Sequence, residues 1–287
     1  MTTTSRTLRL LAVGGAATLA LSLAACSDSS PEAAGPSGDC TPKHTFTTIT
    51  KGELTVASYD YPPATLIDGD GLTGIEGDLL TKIAGMECLK LTVTSSGGAG
   101  AVIPSVQTGR ADLGSGNWLR TKERSKIVHL SNPIWSDVQA VISTSGVTSD
   151  TLKGKKVGSV AGNLWNSSLQ KWLGDDFKIY QDDEAIYGDL AAGRIDALVA
   201  AAGSANYRFK DNPIQGATVI PVKPNPKVPE FASVGQVMWP SSLDNPELGK
   251  AIDENIEALR KDGTIAETLK KYGLDPAVGE PGEPNML

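Results

Sequence analysis

Two hydrophobic periods alternate along this chain, and that alternation limits its fold more than any other feature. "ELTVAS" (53–58) and "LKLTVTS" (89–95) read as short strands, and between them "GIEGDLLTKIAGM" spaces Ile75, Leu79, Ile83 and Met86 along one helix face. The pattern returns in "KKVGSVAG", "FKIYQ", "RIDALVA" and "ATVIPV", separated by the helical stretches "LWNSSLQKWL" and "DEAIYGDLAA". Strands and helices taking turns imply α/β sheets. An internal echo suggests two of them: "PSVQTGRADLGSG" (104–116) and "YGDLAAGRIDALVA" (187–200) each run from a helix through Gly and Arg-x-Asp into a strand. Gly109 and Gly193 suit the left-handed position that closes a helix. The strand that follows ends in small residues, at the edge where open α/β sheets hold ligands. Further on, "ASVGQVMW" (232–239) reads as a strand. "NPELGKAIDENIEALRKDG" then offers an Asn-Pro helix start, apolar Leu248, Ile252, Ile256 and Leu259, and a Gly stop, so the chain is expected to return to its first lobe.

The ends of the chain are of another kind. Arg6 and Arg9 precede an apolar run, Leu10 to Leu23, that has the length and charge of an export signal. It ends in Leu23-Ala24-Ala25-Cys26, which resembles the bacterial lipobox, where cleavage before the cysteine leaves that cysteine to carry the lipid. A plain secretory signal is the alternative, and the small residues before Cys26 favour the lipid. "SDSSPEAAGPSGD" has no large apolar side chain to bury and reads as a tether. The expected plan is a signal peptide at 1–25, a lipid-anchored tether at 26–45, a discontinuous first lobe at 46–138 plus 238–275, a second lobe at 139–237 and a disordered tail at 276–287.

The formal charge is −7, and removing residues 1–25 takes away two arginines and no acid, giving −9. Nucleic acid is a poor partner for such a chain. With Cys26 lipidated, only Cys40 and Cys88 remain of the three cysteines, and outside the membrane two cysteines usually pair. A bridge between them would staple the start of the chain to the first lobe.

In order, "GELTVASYDYPPATLIDGDGLTGIEGDLLTKIA", "IPSVQTGRADLGSG", "TKERSKIVHLSNPIW", "LKGKKVGSVAGN", "AAGRIDALVA" and "LGKAIDENIEALRKDGTIAETLKKYG" resemble the extracellular solute-binding proteins of family 3, which deliver small polar solutes to ABC importers. The resemblance implies a two-lobed α/β fold that closes over its ligand by hinge motion and presents the closed form to a permease. It implies no enzyme activity, cofactor or metal, and a monomer. In the family the arginine of the Thr-x-Glu-Arg stretch holds the ligand carboxylate, and Thr121 to Arg124 match that stretch. A guanidinium near a helix start is also a ready anion site on physical grounds. The alternative is an arginine that pairs with an acid at the lobe surface.

The departures from the family pattern bear on the ligand. The aspartate that pairs with an α-ammonium in amino-acid binders falls, by register, at Ala201. The hydroxyl residue five positions before the arginine is Leu119. After "GSVAG", whose Gly162 lines the second lobe by resemblance, small hydroxyl residues give way to Asn163, Leu164, Trp165 and Asn166. By the same resemblance Asn117 is expected on the lining of the first lobe. Tyr59, Trp118 and Trp165 are candidates to stack on a ligand or face a cation. Trp135, Trp172 and Trp239 read as core. Asp60 is the nearest first-lobe acid that could replace the lost ammonium partner, or else a turn residue before Pro62.

An amino acid or related carboxylate is thus the leading ligand, with an aromatic or modified carboxylate or a weakly hydrated cation as runner-up. A dehydratase-like enzyme on the same fold would need a general acid, for which Asp60 is the candidate. His44 and His129 form no plausible triad or metal cluster. A sensing module would share the same sequence features as a transport protein.

Overall fold

The structure, a computed structural model, describes residues 40–287. The export signal, Cys26 and residues 27–39 lie outside the described residues. The first sheet takes the order Lys90–Ser95, Glu53–Ser58, Leu113–Gly114, Pro240–Ser241, His129–Leu130. Its first three strands are parallel, and Pro240–Ser241 runs antiparallel to both neighbours. Leu54 and Val56 of the sheet form one core with Leu79 and Ile83 of helix Gly74–Met86 and Ile252 and Ile256 of helix Pro246–Lys261. The latter helix starts as its sequence suggests, with Pro246 in the first turn and the Asn245 side chain accepting the N–H of Leu248. Its apolar residues Leu248, Ile252, Ile256 and Leu259 are 1–3% exposed, and burying each contributes about 1.5–3 kcal/mol.

The second sheet takes the order Phe177–Tyr180, Val157–Val160, Ala197–Ala201, Gln139–Ser143, Thr218–Pro221. Helices Asn166–Leu173, Asp183–Ala191 and Ala202–Asp211 accompany it. Strand Gln139–Ser143, buried along its whole length, and helix Ala202–Asp211 are elements that the periodicity did not reveal. A short run apolar on both faces has neither period, and "AGSANYRFKD" lacks an apolar stripe.

The sequence echo has a structural counterpart. Gly109 and Gly193 adopt φ of 67° and 66° at matching helix ends. The Asp112 carboxylate accepts the N–H of Thr55 while its own N–H donates to the Thr55 carbonyl. Asp196 does the same with Lys156. Each aspartate therefore locks the entrance of the neighbouring parallel strand in its own lobe.

The chain crosses between the sheets twice, and the crossings pair with each other: Gly235–Gln236 lies antiparallel to Ser136–Asp137. "ASVGQVMW" is thus not one strand of one sheet. Gly235 and Gln236 pair with the other crossing, Val237 bridges Leu119 and exchanges bonds with Trp135 and Ile134, and only at Pro240 does the chain join the first sheet. The lobes also touch away from the hinge, where the Ser204 hydroxyl donates to the Pro62 carbonyl at 2.7 Å.

Two expectations about the ends are corrected. Residues 40–45 are not tether: the Cys40–Cys88 disulfide is formed, Lys43 donates to the Met86 carbonyl, and His44 engages Glu87 through its backbone N–H and its ring. Nor is 276–287 disordered. After a short 3₁₀ turn, Pro276–Gly279, it runs past the hinge, where the Gln236 amide donates to the carbonyls of Pro281 and Glu283 and accepts the N–H of Asn285. The N–H of Leu287 reaches the Arg120 carbonyl. Almost all these bonds use tail backbone, so a Pro- and Gly-rich composition does not prevent them.

Candidate functional site

A cleft between the lobes is lined from the first lobe by Tyr59, Tyr61, Asn117, Trp118, Leu119 and Arg124, from the second by residues 160–165, and from the hinge by Asp137. The turn that carries Arg124 begins at Thr121, whose hydroxyl accepts the arginine's N–H at 3.1 Å. The guanidinium turns inward, lies 4.4 Å over the Trp118 ring and donates to the Leu119 carbonyl at 2.5 Å. Among the described residues it makes no ion pair, so the alternative of a surface pair with an acid is not what the fold builds. Burial lowers its pKa to about 10, which leaves it charged at neutral pH. The donors not spent on Leu119 are available to an anion in the cleft. Arg120, the neighbouring arginine, is structural: its guanidinium serves the carbonyls of Leu130, Ser131 and Asn285.

The floor of the cleft is held by a buried acid that sequence reasoning did not single out. Glu76, fully buried on helix Gly74–Met86, accepts the N–H groups of Gly116 and Asn117 and the indole N–H of Trp239. These bonds hold Asn117 at φ 59°, a left-handed conformation that asparagine tolerates. Asn117 then reaches Asp137, its amide donating to the carboxylate at 2.8 Å. Desolvation outweighs the three donors at Glu76 and lifts its pKa to about 7.

The sequence candidates divide. Tyr59, Asn117, Trp118, Leu119, Arg124, Gly162, Asn163 and Trp165 come together on the cleft lining. Tyr59 spends its hydroxyl on the Gly116 carbonyl, and one face of Trp118 is covered by Arg124. Trp165 is 3% exposed and belongs to the second-lobe core, its indole N–H bound to the Ser159 hydroxyl, which Asn163 also uses. Gly162 has φ 90°, and a Cβ there would stand 3.2 Å from the Ala99 methyl of the first lobe, so its bareness lets the lobes approach. Two candidates are not on this lining. Asp60 is exposed and accepts the N–H of Ile67 at 2.7 Å, so it is a turn residue, its carboxylate spent locally. Ala201 lies in a small adjacent pocket. Tyr61, which the resemblance places in a cleft-lining segment, is on the lining too, and so is Asp137, which was not among the site candidates; an acid immediately ahead of the apolar run "VQAVIS" was the available signal for it.

Residues 54–275 match the family model for bacterial extracellular solute-binding proteins, family 3. The chain belongs to this family. This solute-binding protein is 31% identical over 227 residues to the L-cystine-binding protein of Escherichia coli K12, covering 75% of this chain and 80% of the relative. It is 28% identical over 226 residues to the lysine/arginine/ornithine-binding periplasmic protein of the same organism, covering 74% and 84%. Among solved structures, an ancestral arginine-binding protein bound to glutamine superposes with a TM-score of 0.66 at 27% identity, over 78% of this chain and 99% of that one. The arginine-, lysine-, histidine-binding protein of Geobacillus stearothermophilus shares the fold at 22% identity, TM-score 0.66, over 81% and 97%. No helix of the described residues of the solute-binding protein is long and apolar enough to cross a membrane.

Proposed function

We propose that this protein captures an amino acid in the cleft between its lobes and hands it to the membrane permease of an ABC importer. The observation that carries the reading is Arg124, a half-buried guanidinium that makes no ion pair among the described residues, set on an aromatic platform and facing the cleft. Such a group is matched by a carboxylate that brings the missing charge with it. The relatives agree in class: their names specify histidine, lysine, arginine, ornithine or cystine, which differ in side chain and share the α-amino acid. A purely aromatic or cationic ligand fits less well, because Arg124 already occupies one face of Trp118 and the Trp165 ring is in the core. We read the chain as a binder rather than an enzyme, in keeping with relatives that are binding proteins by name.

A thermal-shift screen of the purified protein against L-amino acids, their des-amino acids and aliphatic amines tests the proposal. Ligand at a hundred times its Kd stabilises by about 2.7 kcal/mol. Arg124→Ala is expected to lose about 100-fold or more in affinity for any carboxylate ligand; unchanged affinity would mean that the arginine is structural. We further read residues 1–25 as the export signal and Cys26 as the lipid-bearing residue that tethers the protein to the outer face of the membrane. Cys26→Ser is expected to release the protein or leave it unprocessed, and a processed variant still on the membrane would refute the anchor.

A further inference from the structure

Asp137 ends the hinge strand Ser136–Asp137 and is the single acid on the cleft lining, as Arg124 is the single base. It is 7% exposed, so its charge is held out of water. Among the described residues no cation pairs with it. Its own partners are neutral: the Asn117 amide at 2.8 Å and the backbone N–H of Val138. Two neutral donors do not offset the loss of water, and burial lifts its pKa to about 6.

Its place is fixed on every side. The backbone of Asp137 pairs with Gly235 across the hinge. Asn117, its polar neighbour, is pinned through Glu76 at 2.6 Å. The segment that follows is stitched to the second lobe, where Ala201 pairs with Gln139 and the Ala202 N–H donates to the Val138 carbonyl. With its backbone held in the paired crossings and its carboxylate bound to Asn117, Asp137 stays on the cleft lining, and its charge is met by what binds there. A ligand that carries only a carboxylate would satisfy Arg124 and leave Asp137 ionised without a counter-charge in a closed, dry cleft. A zwitterion satisfies both.

We infer that Asp137 is the counter-ion for the ligand's α-ammonium, so that the site selects α-amino acids over the corresponding carboxylic acids by one buried carboxylate on the hinge. This rests on the reading of Arg124 as the carboxylate clamp. It also accounts for the uncharged Ala201: the cation is met from the adjoining hinge segment instead. Because Asp137 belongs to the crossing between the lobes, the ion pair forms at the pivot of closure.

The test compares matched ligands by calorimetry on the purified protein: L-arginine with 5-guanidinopentanoic acid, and L-glutamine, L-histidine and L-cystine with their des-amino acids. Wild type is expected to prefer the amino acid, and Asp137→Asn to lower amino-acid affinity about 100-fold while changing that for the des-amino acid less than about threefold. A second measurement needs no variant. At pH 6, binding of the amino acid should release about half a proton as Asp137 ionises fully, read from the dependence of enthalpy on buffer, and the des-amino acid should not. The other titratable groups near Asp137 are Tyr59, Tyr61 and Arg124 on the same lining and Glu76 behind Asn117, with Asp183 and Tyr187 of the second lobe acting on Tyr61. Both ligands meet that same set, so the difference between them isolates the ammonium. Asp137→Asn retaining the full wild-type preference, or equal proton release by both ligands, overturns the inference while leaving the functional reading standing. A wild type that binds none of these amino acids overturns both.

Discussion

Glu76→Gln separates two opposing effects at one side chain. Three N–H donors converge on the Glu76 carboxylate, and by themselves they would depress its pKa. Complete burial acts the other way and prevails, raising it from 4.5 to about 7. A carboxylate raised in the folded state binds more protons there than in the unfolded chain, so its ionisation costs stability. That cost grows as pH rises from the unfolded value through the folded one and is constant above. A shift of this size corresponds to about 3 kcal/mol. Glutamine never ionises, but its amide can accept only through one atom and would face the Trp239 indole N–H with a second donor, losing one buried bond at about 1–3 kcal/mol. Denaturant midpoints measured from pH 4 to pH 9 should therefore show the variant weaker by that amount at pH 4, below the unfolded value. The gap should close, or reverse, by pH 8. If the gap instead widens with pH, the ionised form is the favoured one and the three donors outweigh desolvation.

Reducing the Cys40–Cys88 disulfide, which spans 48 residues of sequence, is expected to cost about 4 kcal/mol by the chain-entropy argument, and an unchanged urea midpoint in reductant would refute it. His44, held between Glu87 and Glu254, has its pKa raised chiefly by the hydrogen bond to Glu87. Its contribution is full below the unfolded value near 6.5 and is lost as pH rises through the folded value, so hydrogen exchange of residues 40–45 should quicken across that window in wild type and lack the step in His44→Ala.

Much of the fold was readable because its cause is local. Helix Pro246–Lys261 announces its face, its cap and its stop within twenty residues of sequence, and the Gly-Arg-x-Asp units repeat because the same turn and the same lock are needed in both lobes. What escaped depends on partners far away in sequence. Asp60 and Asp137 look alike on paper, each a lone acid near an aromatic residue; a local bond to the N–H seven positions on consumed the first, while the crossing of two distant segments buried the second. Glu76 could pass for an exposed first-turn acid until Trp239, 163 residues on, supplies its indole. The order of the tail was invisible for a related reason: it is bound through backbone atoms, which composition does not record.

That tail sets a boundary condition on the hinge from outside the cleft. Gln236 stands in one of the two crossings, and its side chain is spoken for by residues 45 to 49 positions downstream, which touch no part of the ligand site. Apparent affinity is the intrinsic affinity of the closed form scaled by the fraction of molecules able to adopt it. Gln236→Ala, or Asn285→Pro, which removes the N–H that Gln236 accepts, leaves every ligand contact intact and can therefore retune how much solute the protein holds at a given external concentration, by changing how the two crossings share a twist. Half-saturation and chemical specificity are in this way governed by different stretches of the chain.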